Sequence, residues 1–226
     1  MVTCSSLSRT ALIAVLLFFP VNTLALDPVI FDQSESADSI WGSYGSATDP
    51  TFVAADDFTI DLGAGNYAIT GARWVGGFFD PDLGQLLPYE AVEQDFWILI
   101  YEDGPGFPLG APNLPFPGDA VASRLVTVTP TDANGFLGFY QAEFPGITLA
   151  DATTYWVSIV AAAPVLSENW SWSALQDVGN GHQSFPDPTL WFDRGFEFFF
   201  DLYGVPDGPV RQESRSFGAI KALYEN

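Results

Sequence analysis

Cysteine is almost absent from this sequence of 226 residues. The single cysteine, Cys4, precedes the apolar run Ala11–Phe19, whereas the acceptor cysteine of a lipoprotein would follow such a run. Removal of the N-terminal segment would therefore leave no thiol at all. A chain without thiols has no disulfides, no cysteine nucleophile and no thiolate metal site.

Histidine is equally scarce, with His182 in "DVGNGHQSFPD" as the sole representative. One imidazole cannot build a histidine zinc cluster. A serine–histidine–acid site would need His182 with Ser184 or another serine, yet the chain contains no G-x-S-x-G turn. The pattern predicts a loop histidine with no special role.

Basic residues are few, since 7 Lys and Arg stand against 28 Asp and Glu. Loss of Arg9 with the N-terminal segment leaves six basic and 28 acidic residues (6 − 28 = −22). Such a charge repels nucleic acid and anionic lipid, so neither is an expected partner.

Long hydrophobic runs are confined to the N-terminus. The run Ala11–Phe19 is followed by Pro20 and by small residues at Thr23 and Ala25, which predicts a signal peptide over 1–25. An uncleaved anchor is the alternative. No later stretch is long and apolar enough to span a membrane, because even "GFEFFFDLYGV" contains Glu197 and Asp201.

The rest of the chain consists of short apolar runs separated by turn signals, among them "GAGN", "DPDLGQ" and "TDANG". No stretch shows sustained helical periodicity with caps, so little helix is expected. These features predict an all-β fold, a single two-sheet antiparallel sandwich of jelly-roll-like type over 26–204. The segment 205–226 is read as a linker and a short C-terminal element, which either docks on the sandwich or serves as a sorting address.

Alternation along the strands predicts which aromatic rings face the core. In "FWILIY" (96–101) both faces are apolar, which predicts a central strand covered on both sides. Trp170 and Trp172 share a face and are expected in the core. Trp156 shares its face with Thr154 and Ser158, where it could meet solvent or a ligand.

Six segments resemble, in order, a family of secreted bacterial β-sandwich proteins of unassigned function, many of which carry a PEP-CTERM sorting tail. They are "AADDFTI" (54–60), "ITGARWVGGFF" (69–79), "DFWILIYEDGPGFPLGAP" (95–112), "FYQAEFPGITLADATTYWVSI" (139–159), "WSW" (170–172) and "FDLYG" (200–204). The resemblance implies export and retention at the surface or in the matrix, and it supplies no catalytic residues. Where such a tail has Val-Pro-Glu-Pro this chain reads "VPDGP", so anchoring by that route is not expected.

The abundant acids suggest two kinds of chemistry. Calcium prefers carboxylate and carbonyl oxygens on loops, and Asp80 and Asp82 in "FFDPDLG" have the spacing of half a calcium loop. Asp56 and Asp57 would point to opposite faces of a strand, so the two could not easily hold one calcium ion together. A glycan hydrolase needs two facing carboxylates, and the nearest candidates in sequence are Glu90, Glu93, Asp95, Glu102 and Asp103.

These observations favour a secreted, non-catalytic extracellular or cell-surface module that is structural or binds glycans weakly. The expected partners are extracellular polysaccharide or cell-surface components. The candidate contacts are Trp156, Phe107, Trp191 and Phe192, and the alternative for the three loop residues is to cover the ends of the core. A carboxylate-dependent glycan hydrolase is the alternative function.

Overall fold

A computed structural model describes residues 27–33, 39–42, 44–45, 50–63, 65–80, 82–104, 117–162, 169–184 and 191–207. The predicted signal peptide 1–25, Phe107 and residues 208–226 lie outside these ranges. The described ranges contain fourteen strands and no helix, so the all-β sandwich predicted from the sequence is confirmed. The strands are β1 (Val29–Gln33), β2 (Ser39–Gly42), β3 (Tyr44–Gly45), β4 (Pro50–Thr59), β5 (Asn66–Asp80), β6 (Gln85–Leu86), β7 (Gln94–Asp103), β8 (Pro117–Val128), β9 (Thr131–Asp132), β10 (Gly138–Ala150), β11 (Thr154–Ala162), β12 (Asn169–Ser184), β13 (Trp191–Phe198) and β14 (Phe200–Pro206).

Strand pairing joins all fourteen strands into one continuous sheet, which is divided at β4 into two parts, called here the long sheet and the short sheet. In the long sheet, β5 is the central strand, with β10 along one side and β14 and β12 in succession along the other; β1 lies beyond β14. The short sheet has the order β8, β7, β11, β4. The pairing is antiparallel except between β3 and β11. In the described part of the chain, no helix has the length and apolar character that crossing a membrane requires.

Strand β4 belongs to both sheets. Its residues Val53–Ala55 pair with β12 in the long sheet, and its residues 56–59 pair with β11 in the short one. Asp56 lies where the strand changes partners and is fully buried. Its carboxylate accepts bonds from the Phe198 backbone N–H at 2.6 Å and from the Gln33 side-chain amide at 2.6 Å. Asp57 is only half buried on the opposite face, as alternation predicted.

The main core lies between the two sheets and is built around aromatic rings. Phe96 of the short sheet contacts Trp74, Tyr140 and Trp170 of the long sheet edge to face, with ring centroids 5.0–5.1 Å apart. Trp170 and Trp172 are both fully buried in this core, which confirms the prediction. Edge-to-face aromatic pairs stabilise a core beyond the effect of the area that they bury.

Glycine at position 76 of β5 is required by the close approach of β12. A Cβ atom there would lie 2.4 Å from the ring of Trp170 and 2.5 Å from the carbonyl oxygen of Ser171. No side chain fits at such distances, so Gly76 lets the two strands pair next to the buried indole.

A second, smaller cluster lies on the other face of the short sheet. It consists of Val53, Ala55, Leu99, Trp156, Val160 and Trp191, with Trp97 and Tyr101 packed against it. Because β7 contributes to this cluster through Leu99 and to the main core through Phe96, the prediction that "FWILIY" is covered on both faces is confirmed. β7 also lies between β11 and β8, as expected of a central strand.

The turn signal "TDANG" lies between β8 and β10, but these two strands do not pair as a hairpin: β8 pairs with β7, and only Thr131–Asp132 (β9) within the turn pairs with β10. The Asp132 carboxylate accepts a bond from the Gly135 N–H at 2.6 Å, and the Asn134 side chain accepts one from the Leu137 N–H at 2.9 Å. Gly135 has a φ of 84°, a conformation that costs glycine little.

Candidate functional site: the outer face of the long sheet

Trp156 does not face solvent, which corrects the expectation drawn from its strand pattern. Its side chain is 0% exposed, and its ring lies edge to face with His182 at 4.9 Å. The Trp156 Nε1–H donates to the carboxylate of Asp103 at 3.1 Å. The reason is that side chains of β12 and β13 cover this face of the short sheet: His182 contacts Trp156, and Trp191 meets Tyr101 with ring centroids 5.8 Å apart.

The structure therefore brings two of the predicted ligand contacts, Trp156 and Trp191, into the second cluster as buried side chains. Trp191 retains only 4% exposure, whereas its neighbour Phe192 is 39% exposed. The interpretation of Trp191 as a cover for the core fits this burial better than a role as an open ligand contact.

His182 lies on strand β12 rather than on a loop, so that prediction is wrong. It pairs with Ala55 of β4 and is buried, as is Ser184 two residues later. The glycine-rich stretch before His182 indicated a loop, but backbone pairing with β4 and β13 extends the strand through it.

The proposed calcium ligands occupy a tight turn. The Asp80 carboxylate accepts bonds from the backbone N–H groups of Asp82 and Leu83 at 2.8 and 3.0 Å, and Asp82 is exposed. Among the described residues, no group of three or more His, Cys, Asp or Glu side chains is placed to hold a metal ion. Calcium binding stays a prediction.

The acids proposed for a hydrolase are either exposed or accept hydrogen bonds from nearby side chains. Glu90, Glu93 and Glu102 are exposed. Asp95 accepts a bond from the hydroxyl of Thr127, and Asp103 accepts the bond from Trp156 described above.

A different set of polar side chains meets on the outer face of the long sheet. The register of four neighbouring strands places Asp32 beside Asp201, Asp201 beside Arg73, and Arg73 beside Gln141. These four residues are called the Asp201 row. Because side chains at directly paired positions point to the same face of a sheet, the row runs straight across β1, β14, β5 and β10.

Asp201 is the centre of this row. Its carboxylate forms an ion pair with Arg73 and is 0% exposed, although the Arg73 side chain is 38% exposed. Burial raises the pKa of the Asp201 carboxyl to about 6; a hydrogen bond with Asp32 raises it as well, and the Arg73 charge opposes both effects. Burial also raises the pKa of the neighbouring Tyr203.

Apolar rings lie beside the row. Phe139, two residues before Gln141 on β10, is 39% exposed and lies edge to face with Phe199 at 6.2 Å. Phe139 pairs with Val75, so it stands one row away from Arg73 on the same face. The Asp201 row and the Phe139 ring together form what we call the outer-face site.

The outer-face site was not identified from the sequence, although the sequence contains an indication of it. Arg73 and Asp201 are isolated charges within strands that are otherwise apolar, "GARWVGG" and "FFFDLYG". An isolated charge at an alternating position needs either water or a partner on the next strand, and here each is the partner of the other.

No family model, curated protein or solved structure matches this chain. The resemblance to exported β-sandwich proteins therefore stays a prediction, and a function for the chain has to be inferred from its own residues.

Proposed function

We propose that the protein is an exported, non-catalytic β-sandwich module that binds a polysaccharide weakly at the outer-face site. The observation that supports this most is the position of an exposed aromatic ring, Phe139, one row from a half-exposed arginine held by a buried carboxylate. Export and location at the cell surface belong to the same proposal and depend on the predicted signal peptide.

The chemistry of a sugar fits this arrangement. A pyranose ring carries hydroxyl groups that hydrogen-bond to charged planar groups, and it has an apolar C–H face that packs on an aromatic ring. Arg73, Asp32 and Gln141 supply donors and acceptors, and Phe139 supplies the apolar surface. All of them stand on paired strands, so the site is held in place before a ligand arrives.

The arrangement of the two acids favours binding over hydrolysis. Glycosidases hold their two carboxyl groups about 5–9.5 Å apart, so that the sugar or a water molecule fits between them. Asp32 and Asp201 lie at directly paired positions of neighbouring strands, close enough for Asp32 to raise the pKa of the Asp201 carboxyl, so the two acids stand side by side rather than facing each other across a cleft. With the charge of −21 on the whole chain, a neutral polysaccharide is a better partner than an acidic one.

The experiment that tests the proposal is thermal unfolding of residues 26–226 with a panel of soluble neutral polysaccharides, each with calcium and with EDTA. A ligand that binds only the folded protein raises Tm with the logarithm of its concentration. We expect one class of neutral polysaccharide to raise Tm, and the Phe139→Ala variant to lose that shift.

Phe192→Ala is the matched control, because Phe192 has the same 39% exposure but lies on β13, outside the Asp201 row. If Phe192→Ala abolishes binding and Phe139→Ala does not, the ligand binds where the sequence first suggested and the outer-face site is wrong. If no polysaccharide shifts Tm, the glycan proposal fails and a purely structural role remains. The comparison of calcium with EDTA tests the calcium prediction separately.

A further inference from the structure

The Asp201 carboxyl is held from two sides by partners of opposite character. Asp32 on β1 is an acid, and Arg73 on β5 is a base; both lie at positions paired directly with Asp201. Asp32 is exposed and Arg73 is half exposed, while Asp201 beneath them is fully buried. Water and ligands therefore reach both partners but not the carboxyl that connects them.

The charge state of this carboxyl decides what Arg73 can do. An ionised Asp201 holds the guanidinium by a charge-assisted bond. A protonated Asp201 turns its O–H toward the carboxylate of Asp32 and no longer neutralises the arginine. The N–H donors of Arg73 are then available to hydroxyl or ether oxygens of a sugar.

The other ionisable groups that face Asp201 come from each strand around it. They are Asp32 on β1, Arg73 on β5 and Tyr203 on β14, with Glu143 one row away on β10. Tyr203 has a raised pKa because it is buried, so it stays neutral under mildly acidic conditions. Among the residues that the structure describes around Arg73, the Asp32–Asp201 pair is therefore the group placed to take up a proton as the surroundings become mildly acidic.

We propose that proton uptake by the Asp32–Asp201 pair releases Arg73 to the polysaccharide, so that the outer-face site binds more tightly in mildly acidic surroundings than in neutral ones. This inference rests on the proposed function, because it concerns the same site. The proton remains on the acid pair, and no bond of the ligand is made or broken.

The first test uses the free protein. A carbon-13 NMR titration of the Asp201 carboxyl is expected to show a midpoint near 6, and the Arg73 Nε–H resonance should move with the same midpoint. Asp32→Asn removes the acceptor for the shared proton and should lower the Asp201 midpoint. An Asp201 midpoint near the ordinary 3.8, or an Arg73 resonance that does not follow it, would overturn the inference.

The second test measures the dissociation constant of the polysaccharide that raises Tm, at pH 5 and at pH 7.5. We expect binding to be about tenfold tighter at pH 5, within the usual range of coupling between two sites. Asp201→Asn, which is neutral at both pH values, should bind tightly at both. Asp61→Asn is the control, since Asp61 is exposed and lies in the connection between β4 and β5, outside the row, and it should keep the wild-type pH dependence.

The outcomes separate this inference from the proposed function. Binding that is equal at the two pH values, in the wild type and in Asp201→Asn, overturns proton control and leaves the glycan site intact. If no polysaccharide binds at either pH, the proposed function and its proton-controlled affinity fail together, and the NMR titration then shows only whether Arg73 follows the acid pair.

Discussion

Asp56 and Asp201 are two fully buried carboxylates, one inside the sandwich and the other on the outer face of the long sheet. Asp56 points into the sandwich and is bonded to the backbone N–H of Phe198 and to the amide of Gln33. Asp201 points away from the core, forms an ion pair with Arg73 and lies at a position paired with Asp32, and solvent reaches both of these side chains. Burial alone therefore does not define the role of an acid. The partners of Asp56 make it part of the framework, whereas those of Asp201 connect it to the surface.

The largest difference between the two acids should appear when each side chain is removed. Asp56→Ala leaves a buried backbone N–H and a buried amide without an acceptor, which should lower the free energy of unfolding by about 3 kcal/mol. Asp201→Ala should cost only about 1 kcal/mol, because water can solvate the half-exposed Arg73. Urea unfolding of the two variants measures both values, and equal costs would contradict the distinction.

A smaller effect is expected from pH. Burial raises the pKa of Asp56 well above 3.8, and burial raises that of Asp201 from 3.8 to about 6. The folded protein then holds more protons than the unfolded chain in the window from 3.8 up to these raised values, so stability should fall as pH rises through it. We expect Tm to be about 4 °C lower at pH 7.5 than at pH 4.5.

Differential scanning calorimetry across this range checks the sign, and the variants divide the effect between the two acids. Asp201→Asn should remove the part of the decrease in Tm with pH that is complete near pH 6. If Asp201→Asn leaves the pH dependence of Tm unchanged between pH 4.5 and pH 7.5, Asp201 does not take up a proton in this range.

The smallest effect concerns the glutamines that accompany each acid. Gln33→Ala should cost about 1 kcal/mol, because its amide links the Asp56 carboxylate to the carbonyl of Phe198. Gln141→Ala, at an exposed position of the Asp201 row, should change stability by less than about 0.5 kcal/mol. Parallel urea titrations test this, and a Gln141 variant as destabilised as the Gln33 variant would mean that the outer face is part of the framework too.

Alternation in the sequence was sufficient to assign faces but not to say what covers them. It correctly placed Trp170 and Trp172 in the core, because the inner face of a sandwich is always covered. It failed for Trp156, whose face is covered by His182 of β12 and by Trp191 of β13, which packs against Tyr101. Such a cover depends on contacts between strands far apart in the chain, which local patterns do not record.

The outer-face site was beyond prediction for a related reason. Asp32, Arg73, Gln141 and Asp201 are scattered over most of the chain, and only the order and register of β1, β14, β5 and β10 bring them into one row. Strand β1 itself was not marked by the sequence pattern. The spacing of Asp80 and Asp82 was visible in the sequence, but the same spacing serves a turn in which Asp80 bonds the backbone N–H groups that follow it.

Strand β4 gives the molecule a property that neither sheet would have alone. Because Val53–Ala55 pair with β12 and residues 56–59 pair with β11, separating the two sheets requires breaking the backbone hydrogen bonds of β4 on one side or the other. Separation or sliding of the long sheet against the short sheet is therefore coupled to unpairing of β4. In hydrogen exchange, the amides of β7 and those of β5 should therefore show the same opening free energy, because the two sheets unfold as one cooperative unit.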